Sequence, residues 1–125
     1  MRIKVTSRTF SAHPILRQRL LDLFPDTVFN DEGVNYSEQE LIEYLKDADG
    51  SIIAMDRVND RVIQALPDMR IFSKFGVGLD NIDVEYAKSA GKEIGWIGGV
   101  NKRSAAEQTI GFMIALCRNL FTTGY

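Results

Sequence analysis

One cysteine, one histidine and three prolines in 125 residues leave little of the usual material for staples or rigid turns. A lone thiol cannot close a disulfide within the chain. Cys117 also lies in an apolar helical stretch, so no disulfide framework is expected and a reducing compartment, the cytoplasm, fits best. His13, directly before Pro14, is placed for a helix cap or a surface role, and no catalytic part is assigned to it. No metal site is expected. Charge of neither sign is in excess: the formal net charge of -2 supplies no basic field for a phosphate backbone, so nucleic acid is not an expected partner. No apolar run approaches the length of a membrane span, and Met-Arg-Ile-Lys-Val-Thr opens straight into an alternating strand pattern without the apolar stretch of a leader. Neither membrane insertion nor secretion is therefore expected. Internal repeats, low-complexity segments and blocks of like charge are missing too.

What is present reads as one globular domain with a real core, 45% apolar and 26% charged. Short apolar, β-branched runs alternate with helical patterns, the signature of a parallel α/β sheet. The predicted strands are Arg2 to Thr6, Thr27 to Asn30, Ser51 to Met55, Arg70 to Phe75 and Glu93 to Ile97. Five of them suit a flavodoxin-like, doubly wound sheet. Between them, Pro14 to Phe24 places Ile15, Leu16, Leu20, Leu23 and Phe24 on one face, with Pro14 favourable in the first turn, and predicts a core-facing helix. Ser37 and Glu40 form an S-x-x-E capping box ahead of Leu41, Ile42 and Leu45. Asn59 caps the turn carrying Val62, Ile63 and Leu66, Asp83 starts a fourth helix, and Gly91 stops it. Residues 1–100 are expected to form the domain, and 101–125 a hinge and helix leading away from it.

That last helix is unlike the others. Ser104 and Glu107 predict a second capping box, after which Ile110, Phe112, Met113, Ile114, Leu116, Leu120 and Phe121 fall on nearly every side. A helix apolar all round calls for burial. One five-stranded sheet can cover one face of it, so the other face calls for a second subunit or another domain, and self-association through this helix is predicted. The plainer reading makes it a fifth helix of the domain with a broad apolar stripe.

Ligands of an open α/β sheet bind where the strands end in their carboxyl termini, so the loops to read are known. After the first strand, Thr6-Ser7-Arg8-Thr9-Phe10-Ser11 is rich in hydroxyls but lacks the glycine of a flavin phosphate loop, and reads as a polar turn. After the third, Asp56 sits where a phospho-receiver carries its aspartate, yet no acidic pair follows the first strand to hold magnesium. After the fourth come Gly76-Val77-Gly78 and Leu79-Asp80-Asn81. This is not a dinucleotide fingerprint, which would need glycine at Asn81 and a helix opening directly. It is a backbone able to turn sharply and present successive N–H groups uncovered, a candidate carboxylate or phosphate nest, or else a turn that relieves crowding. Asp80, Asn81 and Asp83 read as local scaffolding.

Taken as a whole, Phe-Gly-Val-Gly-Leu-Asp-Asn-Ile-Asp, Ala87-Lys88 through Ala90-Gly91, and Gly99-Val100-Asn101 through Arg103-Ser104 with Ala106-Glu107 resemble the NAD-dependent D-2-hydroxyacid dehydrogenases, among them phosphoglycerate dehydrogenases. The resemblance covers essentially the whole chain, including Asp49-Gly50 and Leu66-Pro67-Asp68. It implies the flavodoxin-like substrate domain of an oxidoreductase acting on CH–OH donors, with the helix from Ser104 as the crossing into a nucleotide-binding Rossmann domain that has no counterpart in these residues. It assigns the amides of Val77 and Gly78 to the substrate carboxylate, with Gly76 allowing the approach. Val77 would touch the nicotinamide of NAD, and Asn101 would stand at the mouth of the interdomain cleft, where its position before a helix also allows a turn or cap role. The catalytic arginine, histidine and acidic residue of the family map onto no residue here, so the segment is expected to be inactive alone and to bind NAD at most loosely.

Two departures stand out. Where many relatives carry an arginine or serine after the third strand, this chain has Ala54-Met55-Asp56-Arg57, leaving Arg57 either to substitute or to face solvent. Where the family commonly has Asn-Thr-Pro-Gly, this chain has Gly95-Trp96-Ile97-Gly98-Gly99, a looser hinge. The expected ligand is a small 2-hydroxy or 2-oxo acid. The alternative is a free-standing flavodoxin-like module that binds a carboxylate or a protein partner through its last helix.

Overall fold

The structure is a computed structural model that describes residues 1–123; Gly124 and Tyr125, the end of the expected crossing segment, lie outside the described residues. All five predicted strands form, each shorter than its apolar run: β1 (Ile3–Val5), β2 (Val28–Phe29), β3 (Gly50–Ile53), β4 (Ile71–Lys74) and β5 (Glu93–Gly95). They pair in parallel in the order β2-β1-β3-β4-β5. This is the flavodoxin-like order, in which the chain starts mid-sheet and winds outward both ways.

Side chains alternate across the sheet, so the register sorts them by face. Ser51 pairs with Phe72 and Phe72 with Ile94, which puts Phe72 and Ile53 on one side. On that side lie α3 (Glu38–Leu45), α4 (Asp60–Ala65) and α5 (Val84–Ser89). Leu41, Leu45, Val62, Ile63 and Ala87 from these helices close over Ile53 and Phe72 to make the core. Each of the three helices starts where local chemistry directs. Ser37 and Glu40 form the reciprocal capping box, Asn59 accepts from the Val62 amide, and Asp83 accepts from the Tyr86 amide. Gly91, at φ 70°, follows the C-cap residue Ala90 and ends α5 as expected. Lys4 is buried beneath α3, where its ammonium donates to the Tyr44 carbonyl at 2.7 Å and pairs with Asp47.

The opposite face is thinly covered. A one-turn helix, α1 (Arg8–Ser11), forms in the loop read as a polar turn, capped by Ser7 through the Phe10 amide. It is followed by α2 (Pro14–Leu23), which His13 caps by accepting from the Leu16 amide at 3.4 Å. The expected core-facing stripe of α2 is only half realised: Ile15 is 59% and Leu23 73% exposed, and no residue of the helix is buried. The neighbouring edge strand β2 is two residues long and offers little apolar surface. Arg17 also takes up that surface, its guanidinium lying 4.0 Å from the Phe29 ring centroid while it pairs with Asp31.

The C-terminal helices α6 (Lys102–Cys117) and α7 (Leu120–Thr123) contain no buried residue. Phe112 is 54% and Leu116 70% exposed. The predicted capping box at Ser104 and Glu107 does not form. Gly99, at φ 69°, turns the chain early, the helix starts at Lys102 with Asn101 in the cap position, and Glu107 instead accepts from Arg103 at 2.7 Å.

Candidate functional site

The site is built at the carboxyl edge of β3 and β4. The last ladder bond on this edge runs from the Phe75 amide to the Ile53 carbonyl, 2.7 Å, after which the chain leaves the sheet. Gly76 follows at φ 154°, a conformation L side chains rarely adopt, and this lets the backbone turn away at once. Gly76, Val77 and Gly78 are all exposed. Among the described residues, none of their three amides donates to a protein acceptor. The Val77 carbonyl is fixed from outside: the indole Nε1 of Trp96, just past β5, donates to it at 3.1 Å. With a trans peptide, the N–H of Gly78 must then point away from the indole. The Asp80 carboxylate stands on the side of Gly78 where a side chain would project, 2.7 Å from that position.

A cation lies directly under this loop. Lys74, the last residue of β4, is half-buried, and its ammonium is 3.8 Å from where a side chain on Gly76 would begin. It donates to the carbonyl of Ala54, at the end of β3, and to Asn81 Oδ1. Asn81 returns two bonds to the same neighbouring loop, 3.2 Å to the Ala54 carbonyl and 2.6 Å to that of Asp56. Its own carbonyl accepts from Val58 at 2.8 Å. Asn81 is thus scaffolding, as its position suggests, but it ties two loops together and does more than close its own turn. No acidic oxygen lies within 4.0 Å of the Lys74 ammonium among the described residues.

Beside this pair of loops is a cleft of about 230 Å³ between the ends of β1 and β3. Its walls include Thr6, Arg8, Asn35, Met55 and Asp56. Thr6 Oγ1 donates to Asp56 Oδ2, and Arg8 donates to Asn35 Oδ1 at 3.1 Å. The phenol of Tyr36 is pushed above its ordinary 10.0, first by burial and then by the charges of Asp56 and Glu32, against an opposing hydrogen bond from Tyr44. Arg57, which ends the Ala54-Met55-Asp56-Arg57 segment after β3, faces solvent.

Of the residues singled out from sequence, Gly76, Val77 and Gly78 therefore stand together on the expected edge. Asn101 is exposed at the start of α6, its side chain makes no cap hydrogen bond, and no hydrogen bond joins it to the glycine loop. Three residues were not singled out as site residues: Lys74, Trp96 and, as a wall of the cleft, Asp56. A cation immediately before Phe-Gly-Val-Gly was the available signal for Lys74. The single tryptophan of the chain, closing the fifth strand run, was the signal for Trp96.

Comparison with known proteins agrees with this fold. The family model for D-isomer specific 2-hydroxyacid dehydrogenase, catalytic domain, matches residues 5–123, and the chain belongs to this family. It is similar to D-3-phosphoglycerate dehydrogenase of Methanocaldococcus jannaschii, 35% identical over 85 residues, a match that spans 67% of this chain and 16% of that protein. The corresponding pig (Sus scrofa) enzyme is 34% identical over 90 residues, 71% of this chain and 17% of that protein. Among solved structures, the NAD+-bound 3-phosphoglycerate dehydrogenase of Entamoeba histolytica superposes with a TM-score of 0.75 at 26% identity, covering all of this chain and 42% of that one. An acyclic imino acid reductase shares the fold with a TM-score of 0.84 at 17% identity, over 99% of this chain and 39% of that one.

Proposed function

We propose that this member of the family is the substrate-holding part of an NAD-dependent dehydrogenase for a small 2-hydroxy or 2-oxo acid, with the substrate carboxylate received by the amides of Val77 and Gly78. The observation that carries the reading is the run of three exposed, unpartnered amides beside the Lys74 ammonium, at the edge where α/β sheets take their ligands. Backbone N–H groups bind an anion through fixed dipoles, and the nearby Lys74 ammonium, with no acidic oxygen within 4.0 Å among the described residues, adds positive charge that offsets the Asp80 carboxylate beside Gly78. Gly76 allows the anion to come close, because no side chain covers its backbone.

NAD accepts or returns a hydride in this family's chemistry. The described residues fit only a corner of it. Val77, 42% exposed, offers the small apolar surface a nicotinamide ring packs against. No loop has the glycine spacing that cradles a pyrophosphate at a helix start. Holding the cofactor, and the acid–base step that accompanies hydride transfer, therefore require groups beyond these residues. The exposed position of Asn101 before α6 supports a role for it at the border of the cleft toward the nucleotide-binding part.

The test uses the single tryptophan, since Trp96 is bonded to the peptide that presents the Gly78 amide. Titration with D-lactate at constant ionic strength is expected to change its emission saturably in the millimolar range, and Gly78→Val is expected to abolish the change. A response no different from that to chloride would refute the carboxylate site.

A separate observation, the exposed apolar residues all round α6, supports self-association through that helix. Sedimentation velocity that shows a monomer across micromolar concentrations would refute it.

A further inference from the structure

We propose that the cleft beside the glycine loop selects a substrate whose tail donates a hydrogen bond, a hydroxyl or an ammonium, and rejects a phosphate, with Asp56 as the specificity-determining residue. The inference rests on the carboxylate site proposed at Gly76 to Gly78 and says what lies at the other end of the same ligand.

The two places are joined by structure. The Ala54 carbonyl accepts from Lys74, which underlies the glycine loop, while Ala54 and Asp56 line the cleft. A ligand anchored by its carboxylate over Lys74 thus finds the end of β3 as its next neighbour. Asp56 is held there through one oxygen only. Its Oδ2 accepts from Thr6 Oγ1 and, more distantly at 3.4 Å, from the Ala54 amide. Among the described residues, Oδ1 has no protein donor, and it is the fixed acceptor left in a half-buried wall. Its charge also adds, after burial, to the rise of the Tyr36 phenol above the ordinary value.

The other charge on the cleft is Arg8, which is exposed and donates to Asn35. One cation and one anion leave the lining of the cleft with no net charge to draw in a dianion. A phosphate carries about −1.5 to −2 at neutral pH and only acceptor oxygens outside its protonated fraction, so at Asp56 Oδ1 itself it meets like charge and no donor, the donors of the cleft, Arg8 with the hydroxyls of Ser7 and Thr9, lying elsewhere on its lining. A hydroxyl or ammonium at the same place donates to Oδ1 and completes its hydrogen bonding. A hydroxy acid with a free terminal hydroxyl is therefore preferred to its phosphate ester, even though the phosphate ester carries more charge for Lys74 and Arg8 to attract.

The experiment is an amide NMR titration of the full chain with D-glycerate and with 3-phosphoglycerate at matched ionic strength, on the wild type and on Asp56→Asn. D-glycerate is expected to saturate at about tenfold lower concentration, as a like charge a few ångströms away in partly screened surroundings would dictate. It should move the amides of Ala54 and Asp56 along with Gly76 to Gly78. Asp56→Asn, which keeps an acceptor for Thr6, is expected to bring the two ligands within about twofold, as removal of the repelling charge requires. Equal or tighter binding of 3-phosphoglycerate to the wild type overturns the proposal, and this arm decides the matter even if the variant does not fold. A preference unchanged in folded Asp56→Asn overturns it as well. Movement of the glycine-loop amides without discrimination removes this inference alone; no movement with either ligand removes the carboxylate site and this inference together.

Discussion

Replacing Lys74 by methionine tests the network that supports the glycine loop. Methionine keeps the length and most of the apolar stem, so the change removes the ammonium and its two hydrogen bonds, to the Ala54 carbonyl and to Asn81 Oδ1. A hydrogen bond to a charged group contributes about 1.5–3 kcal/mol net. The two losses are unequal. Ala54 retains the Asn81 amide at 3.2 Å, whereas Asn81 Oδ1 loses its partner in a half-buried place. Burial of a thioether in place of a half-solvated ammonium returns part of the loss, which leaves a net destabilisation of about 2–3 kcal/mol. For a chain of this size that is a fall in melting temperature of about 8–12 °C, readable by circular dichroism, or about 1–2 M in the urea midpoint. Asn81→Ala should cost a similar amount, and the double variant clearly less than the sum, because both remove the same link; a coupling near 1 kcal/mol is the order expected for residues in contact. A loss under about 0.5 kcal/mol for Lys74→Met, or strict additivity with Asn81→Ala, would refute the claim that this lysine braces the loop, leaving it a solvated surface cation.

Gly78→Val should leave the fold intact, with less than about 1 kcal/mol lost, since a Cβ on this exposed residue meets only the movable carboxylate of Asp80, while the Trp96 response to carboxylates disappears; a retained response refutes the role of this amide. Gly98→Ala places a methyl 2.5 Å from the Trp96 ring, so the indole must shift and its emission maximum with it, and an unchanged spectrum would show that the Trp96 to Val77 bond does not depend on that packing. Phe112→Glu, at a 54% exposed position, should dissociate the expected oligomer in sedimentation without lowering the monomer's melting temperature by more than a few degrees, and an unaltered oligomer would remove α6 from the interface. Asp47 is held below its usual 3.8, chiefly by the hydrogen bond from Lys4 and then by the charges of Lys4 and Arg2. A depressed carboxyl stabilises the fold above its unfolded value and loses that contribution as pH falls through the folded one. The stability gap between wild type and Lys4→Met, about 1–2 kcal/mol at pH 7, should therefore narrow below about pH 4, and a gap independent of pH would refute the pairing.

How much of this was readable from sequence follows from how local each signal is. Ser37, Asn59, Asp83 and His13 cap their helices through amides three residues away, so the chemistry is complete within a single turn and was legible. The strands were legible because β-branched runs flanked by turn residues have few other uses in an α/β pattern. The start of α6 was missed by two residues because Gly99 takes a positive φ, and a capping box written in the sequence does not form when the helix begins before it. The exposure of Ile15 and Leu23 was hidden because it depends on how short the neighbouring strand β2 is, which periodicity within α2 cannot report.

The site shows the same division. The glycine loop was legible as a motif, but its supports come from 20 and 19 residues away: Lys74 reaches the end of β3, and Trp96 reaches back to Val77. Those contacts exist only once parallel strands bring their carboxyl ends side by side. Trp96 then carries a consequence that motif reading could not reach. Its ring lies against Gly98 while its Nε1 holds the Val77 carbonyl, so the segment that leads to α6 and the peptide that presents the Gly78 amide share one rigid side chain. A displacement of Gly98 would push or release that indole, and with it the Val77 carbonyl that it holds. The glycine loop and the segment before α6 are thus tied through one indole, and under the proposed function a partner that moves this segment is expected to reorient the amide proposed for the carboxylate.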